Sequence, residues 1–289
     1  MEIKKVYINE EKYPEMLKRI PDPPDPLYYI GNLELLDKEC IAIVGSRKTT
    51  QYGRWTARTL GKKIAAAGGV VVSGMAAGID ACAHWGAVDA GKDSKVINTV
   101  AVMGCGIDRC YPKGNRELWE KIVSKGLIVS EYSPGTEATK YTFPQRNRII
   151  SGLSGSVVVV QAPNSSGALI TAERAVEQGR EVYVIPANIN SEYSFGSNKL
   201  LLDGANPLVI MDDLLADRGL FAGMSEEEDA ALGLEEKKVL AEILSHGERT
   251  ADQLAASLKI TAAEINGIVT IMEMKGIVCT SMGKIFIAK

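Results

Sequence analysis

The sequence predicts an α/β fold: a Rossmann-like, doubly wound and mostly parallel sheet, followed by a small C-terminal winged-helix domain. Three observations predict it. Apolar runs such as residues 157–160 lack polar alternation, which is typical of strands buried on both faces by crossover helices. These runs alternate with amphipathic segments of helix length, as in a βαβ architecture. The 289 residues exceed the usual size of one hydrophobic core, so we expect two domains of unequal size.

Seven apolar runs are the predicted strands of the sheet. They cover residues 40–44, 69–73, 96–102, 127–131, 156–161, 181–185 and 207–210. Helices are predicted at residues 52–67, 79–90 and 115–125. Before them, residues 1–38 hold a proline cluster between Pro21 and Pro26, and proline disfavours both helix interiors and central strands. We therefore expect residues 1–38 to be a strapping segment laid against a main domain at 39–222.

A composition shift marks the end of the main domain. Residues 223–232 include an acidic run without apolar periodicity, which predicts an exposed linker. Apolar segments at 234–244, 250–258 and 261–275 follow, with threonines at two N-cap positions and a last hairpin that turns at Gly283. This outline predicts a winged helix at 233–289. Its net charge of −4, counted from residue 225, favours protein contact or a weak auxiliary DNA role over operator binding.

The bulk composition excludes several classes of protein. Apolar residues make up 46% and charged residues 24%, which is ordinary for a globular protein. The longest apolar runs have the length of strands, well short of a membrane span, and the N-terminus lacks the pattern of a secretory signal. We expect a cytoplasmic protein with no membrane contact. The net charge of −3 means that any nucleic-acid site must be a local patch.

The cysteines predict neither a disulfide framework nor a metal site. There are five, scattered along the chain, which favours free thiols in a reducing compartment. Cys105 and Cys110, taken with Cys82 and His84, lack the two-residue spacing of a zinc knuckle. We expect no metal and no other cofactor. Asp80 and His84 lie four residues apart on one face of a predicted helix. Such a pair more often forms a structural hydrogen bond than acts as a catalytic acid and base.

The first loop with candidate chemistry follows the strand at 40–44. Gly45 permits a tight turn, and the next N–H groups with the helix N-terminus can hold a phosphate. Ser46 and Arg47 follow, and a guanidinium can grip phosphate oxygens with two hydrogen bonds. The loop is neither a dinucleotide fingerprint nor a P-loop, which disfavours a dehydrogenase or an NTPase. A tight turn with a surface arginine is the alternative.

The segment 140–152 combines cations with aromatic residues. Lys140, Arg146 and Arg148 lie within nine residues of sequence that also hold Tyr141 and Phe143. Proteins bind single strands through cationic tracks for the phosphates and aromatic faces for the bases. We therefore predict that the three cations contact phosphate and that Phe143 contacts a base. A helix whose arginines pair with neighbouring acidic residues is the alternative.

A second candidate anion site follows the strand at 156–161. Ser165 or Ser166 can cap the next helix, and Gly167 leaves its N–H groups accessible. Two phosphate sites on adjacent strand ends, this one and the site at Gly45 to Arg47, suit a polynucleotide backbone. A single nucleotide would also fit them.

These residues occur in a known order. Four segments have the order and spacing of a family of DNA-binding proteins. They are Gly45-Ser46-Arg47, Ser73-Gly74-Met75-Ala76-x-Gly78-Ile79-Asp80, Phe143-Pro144-x-Arg146-Asn147-Arg148-Ile149-Ile150-Ser151-Gly152 and Ser166-Gly167-Ala168-Leu169-Ile170-Thr171. The chain resembles the DNA-processing protein A family (DprA, also called Smf) over roughly residues 10–210. The tail is similar to the winged-helix domain of many members. We expect this chain to lack the extra N-terminal helical domain of some members.

The resemblance implies a function and roles for residues. Members bind and protect single-stranded DNA that enters by natural transformation, load the recombinase RecA, and form a homodimer through the Rossmann domain. On the matching positions, Gly45, Ser46 and Arg47 are implied to bind phosphate, Lys140 to supply charge along the backbone, and Phe143 to contact a base. Ser165, Ser166 and Gly167 are implied to bind a second phosphate. No catalytic residue is implied.

Two other functions are compatible with parts of the sequence. Residues 148–173 are similar in layout to enzymes that cut the sugar–base bond of nucleoside monophosphates, the phosphoribohydrolases of the lysine-decarboxylase-like group. Their Gly-Gly-x-Gly-Thr loop is replaced here by residues 164–168, and Glu173 is the nearby candidate for a catalytic carboxylate. A nucleotide-sensing winged-helix regulator is the third hypothesis, and it predicts duplex affinity that depends on residues 225–289.

Overall fold

The computed structural model describes residues 2–220, 233–281 and 283–287. The chain divides into two compact units, Met1–Ala222 and Gly223–Lys289. Within the described residues, the first unit contains a nine-stranded, mostly parallel sheet and the second a three-stranded antiparallel one, which confirms the predicted fold class. The predicted linker at 223–232 lies outside the described residues. The predicted boundaries at residues 38 and 39 stay a prediction.

The strands of the first unit follow the predicted apolar runs. They are β1 Lys4–Val6, β2 Leu27–Gly31, β3 Cys40–Val44, β4 Val70–Ser73, β5 Thr99–Met103, β6 Leu127–Ser130, β7 Ser156–Val159, β8 Glu181–Val184 and β9 Asn206–Pro207. Every predicted run overlaps one of them. The last prediction, 207–210, extends past the strand, which ends at Pro207, although it stops before the helix that begins at Met211.

Residues 1–38 add strands to the sheet, which the proline cluster concealed. The strand order is β1-β2-β6-β5-β4-β3-β7-β8-β9, and β1 and β2 pair antiparallel at the side of β6. The prolines interrupt neither strand, because β2 begins at Leu27, directly after Pro26. A proline that precedes a strand removes no hydrogen bond from its ladder.

Helices cover both faces of the sheet. They are α1 Glu15–Lys18, α2 Gln51–Ala66, α3 Ile79–Ala90, α4 Arg116–Lys125, α5 Thr142–Gly152, α6 Gly167–Glu177, α7 Phe195–Leu202 and α8 Met211–Asp217, with 3-10 turns at Leu33–Asp37 and Lys113–Asn115. Ile41 and Ile43 of β3 pack on the side of α2, α3 and α4, whereas Ala42 and Val44 pack on the side of α1, α5 and α6. Because side chains alternate along a strand, β3 is apolar throughout. Each buried valine or isoleucine contributes about 1.5–3 kcal/mol.

The order of the strands places a crevice beside β3. The chain winds from β3 through β4, β5 and β6 in one direction, and then continues through β7, β8 and β9 on the other side of β3. In open α/β sheets, a crevice forms beyond the carboxyl ends of the strands where the winding direction reverses. The loops that follow β3 and β7 meet at this switch point.

The second unit is a winged helix in its described part. Its elements are α9 Leu234–His246, β10 Arg249–Thr250, α10 Ala251–Leu258, α11 Ala262–Met274, β11 Val278–Ser281 and β12 Lys284–Ile287, with strand order β10-β12-β11. Thr250 and Thr261 cap α10 and α11 as predicted, and each forms a reciprocal capping box with the residue three positions on. Val239, Leu254 and Ile265 are buried in its core.

A helix that crosses a membrane needs about 20 consecutive, mostly apolar residues. Within the described ranges, no single helix is long and apolar enough to cross a membrane. The consecutive pair α10 and α11, bent by 112°, reaches that length and hydropathy only when both helices are counted together.

Candidate nucleic-acid interface

A cleft with a volume of about 900 Å³ opens at the switch point. Its lining includes Gly45, Ser46, Arg47 and Lys48 after β3, Lys140, Phe143, Arg146 and Asn147 in and before α5, Ser165, Ser166 and Gly167 at the start of α6, and Glu192 and Tyr193 before α7. The fold thus brings nine of the ten sequence-predicted site residues to one cleft. The tenth, Arg148, does not line it in the described part of the chain.

Arg47 and Phe143 are in contact at this cleft. The Cζ atom of the Arg47 guanidinium lies 5.0 Å from the centroid of the Phe143 ring, within the range of a cation–π interaction. The Phe143 ring also packs against Tyr111, with 5.3 Å between ring centroids. Arg47 is exposed, and no carboxylate of the described residues pairs with it. A cation for phosphate and an aromatic ring for a base therefore lie side by side.

The exposed charges of the cleft are mainly positive. Arg47, Lys48 and Lys140 are exposed, against the exposed carboxylate of Glu192. The Nζ atom of Lys140 lies 5.0 Å from the ring centroid of Tyr141, which is itself 73% exposed. This local excess of cations occurs in a chain whose net charge is −3, so a global charge count conceals it.

The Gly45–Ser46 turn is held by internal hydrogen bonds. The Ser46 N–H donates to the carbonyl oxygen of Gln161 at 2.7 Å. The Gly45 N–H is directed at the carboxylate of Asp80. A Cβ atom on Gly45 would lie 2.5 Å from Cγ1 of Ile79, so this backbone needs glycine. Contrary to the sequence-based expectation, these two N–H groups are engaged inside the protein, and the turn shapes the cleft instead of offering them to a phosphate.

Asp80 organises the floor of the cleft. Its side chain is buried, and its Oδ2 accepts from the Gly74 N–H at 3.1 Å. Burial raises the pKa of Asp80 to about 6, against the opposite effects of the Arg146 guanidinium and of the N–H groups of Ala76, Gly74 and Gly45. Asp80 thereby ties the loops after β3 and β4 together. His84 lies deeper, where its Nδ1 forms a 2.7 Å hydrogen bond with Oγ1 of Thr99.

Arg146 has a structural role in addition to its place in the lining. It is 4% exposed, and its Nη1 donates to the carbonyl oxygens of Gly74, at 2.6 Å, and of Val102. It therefore joins the ends of β4 and β5. Because these hydrogen bonds occupy its Nη1 atom inside the protein, Arg146 differs from the accessible phosphate ligand that the sequence predicted.

Arg148 faces away from the cleft and forms a buried ion pair. Its Nη1 and Nη2 atoms donate to the two carboxylate oxygens of Glu131 at 2.9 and 2.8 Å, and its Nε donates to Asp22 at 3.2 Å. The side chains of Arg148 and Glu131 are only 10% and 11% exposed. This is the alternative considered for the segment, an arginine paired with acidic neighbours. The structure therefore gives no support to a phosphate contact by Arg148.

Gln161 locks the loop that carries Arg47. Its Oε1 accepts from Oγ1 of Thr49 at 2.7 Å and from the Thr50 N–H at 3.1 Å. Thr50 in turn caps α2, since its Oγ1 accepts from the Gly53 N–H at 3.1 Å. The end of β7 thus fixes the loop after β3 and the start of α2. These hydrogen bonds connect two walls of the cleft.

The second predicted anion site is the start of α6. Ser166 caps the helix, with its side chain accepting from the Ala168 N–H at 3.3 Å, while Ser165 and Gly167 are exposed. Asn147 of α5 donates to the carbonyl oxygen of Gly167 at 3.0 Å and holds this turn against the Phe143 segment. The exposed N-terminus of α6 favours an anion.

Sequence reasoning missed four residues of this site. Lys48 had a signal, since it directly follows Arg47, and Asn147 lies inside a motif quoted for the resemblance. Tyr193 and Gln161 had none. Tyr193 comes from the loop after β8, and only the fold brings that loop to the cleft.

The carboxylate named in the nucleotide-processing hypothesis lies outside the described lining of the cleft. Glu173, the candidate carboxylate of the nucleotide-processing hypothesis, is exposed on α6 and is absent from the described cleft lining. Across residues 2–220, 233–281 and 283–287, no three side chains of the metal-ligating types come together. The described lining is suited to holding an anionic, partly aromatic ligand.

Comparisons with known proteins cover both units. The profile of the family described as DNA recombination-mediator protein A matches residues 4–219, and that of the DprA winged helix domain matches residues 225–284. Protein Smf of Synechocystis is 41% identical over 216 residues, which are 73% of this chain and 53% of that protein. The chain thus matches about half the length of this relative.

Two solved structures resemble about three quarters of this chain. DNA processing protein A from Streptococcus pneumoniae is 40% identical, with a TM-score of 0.70 and coverage of 74% of each chain. DNA processing protein A from Helicobacter pylori, described for its single-stranded DNA binding mode, is 31% identical, with a TM-score of 0.67 and coverage of 74% of this chain and 94% of that one. With the family profile matching residues 4–219, this chain belongs to the DNA recombination-mediator protein A family.

Proposed function

We propose that this protein binds single-stranded DNA in the cleft at the β3/β7 switch point. One observation carries the proposal: the exposed Arg47 guanidinium lies against the Phe143 ring, with Lys48 and Lys140 in the same lining. Cationic groups that follow the phosphates, combined with a ring on which a base stacks, are the usual means of binding an unpaired strand. The H. pylori relative, described as binding single-stranded DNA, supports the proposal.

The proposed roles follow from accessibility. Arg47, Lys48 and Lys140 contact phosphate, and Phe143 stacks on a base. The start of α6, with Ser165, Ser166 and Gly167, receives a second phosphate. Gly45, Ser46 and Arg146 shape and brace the cleft, and Arg148 lies outside it.

The wider role is proposed from family membership. The protein protects single-stranded DNA that enters the cytoplasm by natural transformation, loads RecA onto it, and acts as a homodimer formed through the Rossmann domain. It binds DNA and does not catalyse a reaction. The acidic winged helix makes protein contacts or contributes weakly to DNA binding. Sedimentation of the purified protein, alone and with RecA, tests the homodimer and the partnership.

The deciding experiment is a titration of labelled dT oligonucleotides and matched duplexes at two salt concentrations. We expect tighter binding to the single strand than to the duplex. The logarithm of the binding constant should fall as the logarithm of the salt concentration rises, because phosphates that bind the protein release counterions. Absence of binding to dT at low salt would overturn the proposal. Release of free base from nucleoside monophosphates would replace it with the hydrolase hypothesis, and duplex affinity that depends on residues 225–289 would favour the regulator.

A further inference from the structure

Helix α2 exposes two stacked aromatic rings beside the cleft. Tyr52 is 47% exposed and Trp55 is 59% exposed. Their ring centroids are 6.4 Å apart, with 29° between the ring planes. The opposite face of α2 already supplies the core, through residues such as Leu60 and Ile64. The two rings therefore contribute little to the packing of this unit, although burying an aromatic side chain is strongly favourable.

Helix α2 also carries several cations along its length. The helix contains Arg54, Arg58, Lys62 and Lys63 and no acidic residue. Arg58 pairs with Asp89, and Lys63 pairs with Asp212. Arg54 and Lys62 are exposed, and the described residues provide no carboxylate for either. Uncompensated cations beside exposed rings are complementary to a ligand with phosphates and bases.

The start of α2 adjoins the cleft. Arg47 and Lys48 line the cleft, and Thr50, two residues later, caps α2. Because Gln161 holds Thr49 and Thr50, the start of α2 keeps a fixed position beside the cleft. With a rise of about 1.5 Å per residue, Trp55 lies only about 8 Å along the helix axis from its cap.

We propose that Tyr52 and Trp55 form a second stacking platform for the single strand bound in the cleft. The platform receives bases beyond those that Phe143 contacts, and Arg54 and Lys62 contact the accompanying phosphates. The inference rests on the proposed function, because it assigns a longer track to the same ligand. It predicts that the bound length of the strand exceeds what the cleft alone can hold.

The experiment compares two lengths of dT oligonucleotide, one just long enough for the cleft and one several nucleotides longer. Trp55→Ala and Tyr52→Ala are expected to weaken binding of the longer oligonucleotide at least about fivefold, the lower end expected for loss of one base stack. Binding of the shorter one should be unchanged. Trp55→Phe retains a ring and should restore most of the affinity. Tyr7→Ala, which removes an exposed tyrosine from another part of the unit, is the matched control.

Tryptophan fluorescence adds an independent measurement. The longer oligonucleotide should quench the fluorescence of the wild type, and Trp55→Phe should lose most of this quenching, because Trp85 and Trp119 are partly buried. Equal affinities of Trp55→Ala and the wild type for the longer oligonucleotide would overturn the platform. A change of oligomeric state with unchanged DNA affinity would also overturn it, in favour of a contact with a second copy. Arg47→Ala should weaken both lengths, so failure of the cleft itself is distinguishable.

Discussion

The guanidinium of Arg47 lies over the ring of Phe143, with 5.0 Å between Cζ and the ring centroid. The two residues come from different segments, the loop after β3 and the start of α5, and the fold makes them neighbours. Under the proposed function, a phosphate held by Arg47 and a base stacked on Phe143 would belong to adjacent parts of one ligand. The binding energies of the two side chains should consequently depend on each other.

Arg47→Ala should weaken binding of dT and reduce its salt dependence. Each phosphate contact to a single strand contributes about 0.7 to the slope of log K against log salt. We expect the slope to decrease by about that amount, and a similar change for Lys140→Ala. Titrations at several salt concentrations measure it. Arg19→Ala, which removes an exposed arginine of the N-terminal segment, should leave the slope unchanged. Wild-type affinity and slope in both cleft variants would reject the assigned contacts.

Phe143→Ala should cost about 1–3 kcal/mol of binding free energy for dT, because it removes a stacking surface. The salt slope should change little, since a ring releases no counterions. In the double variant with Arg47→Ala, the two losses should not add, because the residues are in contact. Phe143→Tyr should retain most of the affinity. Additive losses within experimental error would show that the contact between the two side chains does not matter for binding.

Gly78→Ala should disturb the cleft more than the same substitution at Gly68, a glycine with a similar positive φ. Gly78 has a φ of +86°, and a Cβ atom there would lie 2.3 Å from the carbonyl oxygen of Ser46 and 2.6 Å from that of Arg47. Gly68 has a φ of +83° with open space around it. Gly68→Ala should therefore lose only about 1–2 kcal/mol of stability for its backbone conformation.

The two glycine variants are compared by urea unfolding and by dT titration. Gly78→Ala should lose more stability than Gly68→Ala, or should bind dT more weakly while folded, because the loop that carries Arg47 must move. Gly68→Ala should bind as the wild type does. Equal stability and equal affinity in the two variants would show that the backbone of Ser46 and Arg47 moves away from the new Cβ atom without a loss of free energy.

The sheet was predictable because burial on both faces leaves a direct mark on the sequence. Runs such as Cys40–Val44 are apolar at every position, which is typical of strands covered on both faces. The N-terminal strands were not predicted, since β1 is three residues long and β2 follows a proline cluster. Their pairing with β6 is a tertiary contact without a local pattern.

The site was predictable in its location but not in its internal hydrogen bonds. Glycine-rich strand ends and nearby cations indicated the cleft. Which cation is accessible depends on neighbours that are distant in sequence: Glu131 pairs with Arg148, and the carbonyl oxygens of Gly74 and Val102 accept from Arg146. The sequence around an arginine does not indicate which distant residue will pair with it. Likewise, Asp80 was expected only as a possible partner of His84, whereas its carboxylate holds the loops of the cleft.

Asp80→Asn should change how stability depends on pH. Burial raises the pKa of the folded Asp80 to about 6, whereas the unfolded chain has a value near 3.9. The folded state therefore binds this proton more tightly, and the contribution of Asp80 to stability decreases as the pH rises between these two values. Relative to Asp80→Asn, the wild type should lose about 1–3 kcal/mol over this interval.

The comparison must be made between the two proteins, because His84 acts in the opposite direction. Burial lowers the pKa of His84 to about 3, so its contribution to stability increases as the pH rises towards 6.5. That contribution is present in both proteins and cancels in the difference. Urea unfolding between pH 4 and pH 7 measures the effect. A difference in unfolding free energy that stays constant over this range would show that Asp80 has an ordinary pKa.

Arg148→Met should destabilise the fold, because Glu131 loses its partner. It should not remove a contact to DNA. It leaves a buried carboxylate without its two hydrogen bonds, and breaking such a pair costs about 3–5 kcal/mol. Adding Glu131→Leu removes the unpaired charge, so the double variant should recover most of the lost stability in urea unfolding. Asp22 stays solvated, since its side chain is 76% exposed.

Because Arg148 faces away from the cleft, the double variant should bind dT with the affinity and salt slope of the wild type. A well-folded double variant with weaker binding and a smaller slope would return Arg148 to the phosphate contacts.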